Sequence, residues 1–467
     1  MSDEKITTGG GGKPDGVTAE NFGYKQELKR VLKTPDLVVY GLLFIIVTAP
    51  MGVFGEVHVL SHGMTPVVYV VGLVAMLFTA LSYKQMSSRF PIAGSVYSYI
   101  QRGINPHVGF FVGWLIMIDY ILIPALNYGF VGWWCNDLLP AIPTWVFVII
   151  LLGINTFINY RGITLMQIIN WVVFIIQIAV VVVFLVVGIY FIMNGGGYGG
   201  FTIMPIYQPE YFNAGFIATA ATVACLSFLG FDAISTLSEE TLKPERSIGR
   251  ATIFTLLIAG GLFFIITYVA ASVWGNTPLG ELDEVTGIFQ VAALMGGQAL
   301  RIILTIVMLI GGAVGSLAAQ AAITRIWYSM ARDKMMPQFM GKVHPKYQTP
   351  YITVFLVAAI MFICSFIHPM SLVRFVNFGA LSSFIMLNVA VFWFFFVKEK
   401  RRGSFGDIMN FLICPAIGMF ILGFVWSGFD APTLILGFSW LAAGVIFGGV
   451  KTRWFKDVPE VFKNVEL

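Results

Sequence analysis

Two aspartates, Asp119 and Asp232, stand in stretches otherwise apolar enough to lie inside a lipid bilayer. A carboxylate at that depth is costly unless it faces protein, water or a ligand. The chemistry open to it is narrow: counter-ion to an amine, proton carrier, or hydrogen-bonding anchor between helices. Counting from His107, the rise of about 1.5 Å per residue puts Asp119 roughly 18 Å along its helix, near the middle of a hydrocarbon core about 30 Å thick. Tyr120 follows it directly. Asp232 belongs to the run Cys225-Leu-Ser-Phe-Leu-Gly-Phe-Asp-Ala-Ile-Ser-Thr-Leu-Ser-Glu-Glu240. Gly230 weakens a helix there, and small hydroxyl residues follow at membrane depth. Each aspartate keeps two readings. Asp119 is a functional carboxylate or an interhelical anchor; Asp232 caps the second half of a broken helix or contacts substrate or proton.

A second interruption lies in the first apolar run, which reads Thr48-Ala-Pro-Met-Gly-Val-Phe-Gly55 at its middle. Proline removes a backbone donor and kinks a helix, unless it starts a new one. Backbone groups freed at such breaks are tolerated in a membrane only where they line a cavity. Interrupted helices at corresponding places in two halves of a chain point to an inverted-repeat transporter with its site at the breaks. The substrate-binding candidates are therefore Thr48, Ala49, Pro50, Met51 and Gly52 at one break, and Ser227, Phe228, Gly230, Phe231 and Asp232 at the other. Asp119 and Tyr120 join them. Glu239 and Glu240 fall near the cytoplasmic end of the second interrupted helix, where a gate pairing with arginines fits better than substrate binding. Ser316, with carbonyls near Thr48, is a candidate sodium ligand.

The elements that must hold these residues are membrane helices. Of 467 residues only 11% are charged, against about 25% in soluble domains. Twelve spans are expected at approximately 36–60, 66–86, 107–136, 143–160, 164–193, 213–241, 250–274, 299–329, 351–367, 371–397, 407–427 and 432–450. Basic residues set the orientation. With both termini in the cytoplasm, only Arg301 and Arg374 of the 28 Lys and Arg fall at outer ends of spans. Glu56 is then expected near the outer mouth, where it would attract cations. The segment from Phe90 to Asn105 predicts a short amphipathic helix at the cytoplasmic face. Residues 1–30 predict a disordered cytoplasmic tail without a cleavable signal peptide, and 451–467 a second cytoplasmic tail.

Several function classes find no support. Cys135, Cys225, Cys364 and Cys414 are scattered, with neither a disulfide framework nor metal-ligand spacing. No phosphate-cradling Gly-rich motif opens a helix, so no nucleotide cofactor or nucleic-acid partner is expected, and the energy must come from a gradient or from exchange. A channel would show a repeating polar face, and a membrane enzyme a cluster of catalytic residues at one interface. Neither is present in the sequence.

Three segments together resemble the amino acid–polyamine–organocation family of permeases: Pro91-x-Ala-Gly-Ser-x-Tyr-x-Tyr99, Gly230-Phe-Asp-Ala-Ile-Ser-Thr-Leu-Ser-Glu-Glu240 and Thr324-Arg-Ile-Trp-Tyr-Ser-Met-Ala-Arg-Asp333. The likeness runs over nearly all of residues 30–450. Within the family, Thr48-x-Pro-Met, Asn105-Pro-His-Val-Gly-Phe and Thr236-Leu-Ser-Glu-Glu-Thr241 are similar to bacterial putrescine importers. The resemblance implies an all-α polytopic membrane protein of the LeuT type. Its five-plus-five inverted repeat would cover 31–194 and 195–402, with two peripheral helices in 403–450. It implies Phe228 as a gate over the substrate. Amino acid carriers of the family have a glycine-rich first break for the substrate carboxylate, whereas this break is glycine-poor and Pro50 has no N–H. That departure favours an amine without a carboxylate, such as a diamine. Related proton-linked carriers place a lysine in the fifth span; the corresponding residue here is Gln177, so that coupling device does not carry over. The expectation is an ion-gradient-driven importer of a small cationic amine in the inner membrane. Its partners would be that substrate, a proton or sodium ion, and the lipid bilayer. The alternative is an amino acid permease, symporter or exchanger, for neutral or cationic amino acids.

Overall fold

The computed structural model describes residues 32–91, 95–161, 164–332, 337–345, 347, 349–451 and 454. The tail expected at 1–30, and nearly all of that at 451–467, lie outside them. The described chain is helical throughout. Ten helices are long and apolar enough to cross a bilayer, and two more, Thr144–Tyr160 and Tyr351–Cys364, are apolar but shorter. These two fall on the fourth and ninth expected spans.

The first span is built in pieces: α1 (Thr34–Ile45), a single turn α2 (Ala49–Gly52) and α3 (Phe54–Leu60). The break comes before the proline. Ile46 sits at φ 63°, a region that a β-branched residue rarely enters, and Pro50 lies in the first turn of α2, where its missing N–H costs nothing. Next come α4 (Thr65–Arg89), α5 (Ser95–Gly103) and α6 (Pro106–Leu138). Helix α6 starts where the sequence signals it: the Asn105 side chain accepts from the Val108 N–H at 2.9 Å, and Pro106 opens the helix. Then follow α7 (Thr144–Arg161) and α8 (Thr164–Met193).

The sixth span is also interrupted. Helix α9 (Ala214–Ala224) tightens into a 3-10 turn, Cys225–Phe228, passes Leu229 and Gly230, and resumes as a 3-10 helix over Phe231–Glu240. Gly230 has φ 109°, the left-handed region that favours glycine. The second half of the chain continues with α10 (Pro244–Trp274), α11 (Gly287–Arg332, kinked at Gly297), α12 (Tyr351–Cys364) and α13 (Pro369–Val391). Short α14 (Phe405–Ile408), then α15 (Cys414–Trp426) and α16 (Ala431–Lys451), complete it.

Helix pairing follows a pattern. Helices α4 and α10 pack along one another, as do α6 with α11 and α7 with α12. Exchange α4 with α10, α6 with α11, α7 with α12 and α8 with α13, and further pairings map onto each other. The α6–α13 packing becomes α11–α8, α6–α7 becomes α11–α12, α6–α12 becomes α11–α7, and α4–α13 becomes α10–α8, all of them present. At one end the two interrupted spans join: the Leu242 N–H donates to the Leu32 carbonyl at 2.9 Å.

Two polar devices lock this frame. Asn155 and Asn159, one helical turn apart on α7, donate to the Ala313 and Leu317 carbonyls of α11 at 2.9 and 3.2 Å. Gln320 completes that network by donating to Thr156 at 3.1 Å and accepting from Asn159 at 3.1 Å. On the opposite flank, the Trp114 and Trp440 indoles stack at 4.9 Å, and each donates its Nε1–H to the other residue's carbonyl at 2.9 Å. That reciprocal bond fastens α16 to α6. Elsewhere α8, α15 and α16 turn large apolar side chains outward, including Val186, Tyr190, Phe420 and Val450, as a lipid-facing surface does.

The segment between α4 and α6 differs from expectation. Helix α5 is amphipathic, but Ser95, Val96, Tyr99, Ile100 and Arg102 are all buried. It is tucked beneath α6, α13 and the second half of the sixth span rather than laid on the surface.

Candidate substrate site at the broken helices

The left-handed turn at Gly230 aims Asp232 into the protein. Its Oδ2 accepts from the Tyr120 hydroxyl at 2.5 Å and from the Ser95 hydroxyl at 3.2 Å. Ser95 is in turn 3.1 Å from the Tyr83 hydroxyl. One cluster thus draws side chains from α4, α5, α6 and the sixth span. The N–H groups of Gly230 and of Asp232 itself lie nearby but leave Oδ1 without a hydrogen bond. Asp119 directly precedes Tyr120, whose hydroxyl donates to Asp232, and its Oδ1 is also buried without a partner. The two aspartates are 2% and 1% exposed. No ion pair to Lys, Arg or His reaches either one among the described residues.

Aromatic rings close the cluster. Tyr83 meets Phe231, Tyr99 and Phe384 edge-on, with centroids 5.6, 5.8 and 6.2 Å away. Phe228 is fully buried and packs on Tyr69 and Phe263 at 6.0 and 5.2 Å. Beside it the Ser227 hydroxyl is 3.0 Å from the Tyr69 hydroxyl.

The first break lies against the Cys225–Phe228 turn. Thr48 and Met51 are buried there, and Gly52 faces Trp134 of α6 and Met308 of α11. Its amides are engaged: the Ala49 N–H donates to the Ile46 carbonyl at 2.8 Å and the Met51 N–H to the Thr48 carbonyl at 2.9 Å. Pro50 has none to give. Gln177 reaches from α8 toward the same break, lining with Phe44, Ile46, Gly311 and Gly315 a cavity of about 20 Å³, room for one water. The Ser316 hydroxyl turns back to its own helix and donates to the Gly312 carbonyl at 2.7 Å. The side chains of Glu239 and Glu240 lie outside the described residues.

The structure therefore brings together Asp119, Tyr120, Phe231 and Asp232, and sets Thr48 to Gly52 beside Ser227 and Phe228. Gln177 and Ser316 lie apart from the acid pair. Sequence reasoning missed Tyr83, Ser95 and Tyr69. Ser95 had a signal, since it lies in the Pro91–Tyr99 run; Tyr83 and Tyr69 are two tyrosines in an apolar helix, and nothing marks them. Glu56 departs from the expected role. It is 3% exposed and bound to Arg374 of α13, which also holds Asp430 at 2.8 Å, so it is no open lure for cations. Another ion pair joins Arg301 to Asp137 at 2.7 Å.

A multi-pass helical protein with interrupted first and sixth spans and polar groups gathered at the break is built as a permease. Residues 37–450 match the amino acid permease family model, and the chain belongs to the amino acid–polyamine–organocation family. It is 33% identical over 441 residues to the low-affinity putrescine importer PlaP of Escherichia coli (strain K12), covering 94% of this chain and 97% of that one. It is 26% identical over 468 residues to the branched-chain amino acid permease BcaP of Bacillus subtilis (strain 168), covering 90% and 93%. A methylthioribose transporter of the same organism is 27% identical over 452 residues, with the same coverage. The family and these relatives are transporters, not enzymes.

Proposed function

We propose that this permease is a secondary active transporter that imports a small cationic amine, a putrescine-like diamine, across the inner membrane. The observation that carries the reading is the buried pair Asp119 and Asp232, two carboxylates with a free oxygen each and no cation paired to them among the described residues. An ammonium group supplies the missing charge and donors at once. The first break points the same way. A substrate carboxylate needs N–H donors at a half-helix end, and the Ala49 and Met51 amides are already bonded within the turn while Pro50 has none. The importer among the relatives agrees with this choice.

Alternating access would be carried by a five-plus-five inverted repeat over 31–194 and 195–402, within twelve spans and with both termini cytoplasmic. The exchange symmetry of the helix pairings supports that arrangement, and α15 and α16 stand outside it as peripheral helices. An ion gradient drives uptake in this reading. A second reading, amino acid transport, draws on the permeases among the relatives and on the Gly230 and Asp232 amides beside the second break. Uptake into proteoliposomes of labelled putrescine, γ-aminobutyrate, and cationic and neutral amino acids, under imposed proton or sodium gradients, separates the two. Neutral amino acids entering while putrescine neither enters nor competes would reject the diamine.

A further inference from the structure

We propose that the Asp119–Asp232 pair requires two positive charges when occupied, so that a diammonium binds alone whereas a monoammonium binds together with a proton kept on Asp119. This rests on the amine reading above and fixes how the same site counts charge. The geometry is specific. Oδ1 of each aspartate is buried without a hydrogen bond, so two separate acceptors wait for donors that the described protein does not supply.

The groups around the pair are neutral. They are Tyr83 from α4, Ser95 and Tyr99 from α5, Tyr120 from α6, Phe384 from α13, and Phe231 and Ser235 beside Asp232. Arg102, the basic residue of α5, lies about 10 Å along that helix from Ser95, and among the described residues no ion pair reaches either carboxylate. Two like charges so enclosed do not both persist without counter-charge. The division of labour follows from the hydroxyls. Asp232 receives two donated hydrogen bonds, from Tyr120 and Ser95, which stabilise a negative charge. Asp119 accepts none among the described residues.

The empty site therefore holds its proton on Asp119. A monoammonium pairs with Asp232 and leaves that proton in place. A diammonium sets its second –NH₃⁺ at Asp119, and the displaced proton goes to solvent. Both occupied states carry the same net charge, and they differ by one proton.

Calorimetric titration of the detergent-solubilised full chain reads this difference without membrane permeation. The ligands are 1,4-diaminobutane and 4-aminobutan-1-ol, each titrated at one pH in two buffers of different ionisation enthalpy. The diamine should release about one proton more per site than the amino alcohol, and Asp119→Asn should erase that difference. Equal proton release by the two wild-type titrations overturns the inference while leaving the amine reading intact, and so does a difference that survives in Asp119→Asn. Binding of neither amine overturns both. The wild-type comparison decides even where the variant does not fold.

Discussion

Arg374 ties α13 to Glu56 and Asp430, and its removal has a calculable cost. Its guanidinium binds Glu56 through one nitrogen and Asp430 through the other at 2.8 Å. The Glu56 side chain is only 4% exposed, that of Arg374 31% and that of Asp430 39%. Arg374→Met leaves Glu56 buried with Glu284 nearby and no cation. Stranding one partner of a fully buried pair costs about 3–5 kcal/mol. Water can reach roughly a third of this guanidinium's place, which brings the expected loss to about 2–3 kcal/mol. Asp430→Asn should cost about 0–1 kcal/mol, as exposed pairs do, because asparagine still accepts from the Thr433 N–H. Adding Glu56→Gln to Arg374→Met removes the orphaned charge and should restore roughly half of the loss. Unfolding of these variants in detergent, with Glu56→Gln alone to close the double-mutant cycle, gives the comparison. Asp430→Asn as damaging as Arg374→Met would refute the assignment of the burden to Glu56, as would a double variant no better than Arg374→Met alone.

Two further outcomes follow from single residues. Gly230→Ala puts a Cβ on a left-handed backbone, directed at the Phe44 ring of α1; it should cost about 1–3 kcal/mol and lower the melting temperature, and a variant as stable as wild type would remove positive φ as the reason for glycine. Burial pushes the Asp430 carboxyl up, but Thr433 and the Arg374 guanidinium outweigh burial and hold it below its ordinary value of 3.8. A depressed value in the folded state means stability that is complete above the ordinary value and lost as pH falls through the lower one. The gap in melting temperature between wild type and Asp430→Asn should therefore hold near neutral pH and close below about pH 4; a gap that widens on acidification would contradict the sign.

Much of the frame was legible because membrane helices write themselves as long apolar runs, and because glycine and proline mark where they stop. Gly230 is the clearest case: only its φ lets the sixth span turn there, and composition alone located it. The first break was legible less sharply. Pro50 drew attention, yet the chain departs from the helix at Ile46, whose positive φ leaves no trace in a hydrophobic sequence. The site divides the same way. Buried aspartates announce themselves by cost, so Asp119 and Asp232 could be found one by one. Their meeting through Tyr120 and Ser95 depends on how α5 is inserted under α6, a tertiary fact with no local code. Glu56 shows the converse. Its charge in an apolar run was readable, but its partner lies 318 residues away.

The reciprocal bond between Trp114 and Trp440 has a consequence for how the chain is made. Synthesis proceeds from the N-terminus, so α6 enters the membrane long before its partner on α16 exists. Until then the Trp114 indole and its carbonyl face lipid or water, and Gly444, which packs under that ring, is still to be translated. The clasp can close only once α16 has been made. A chain without α16 would lose both indole bonds and the stack at once, leaving this stretch of α6 without its partner.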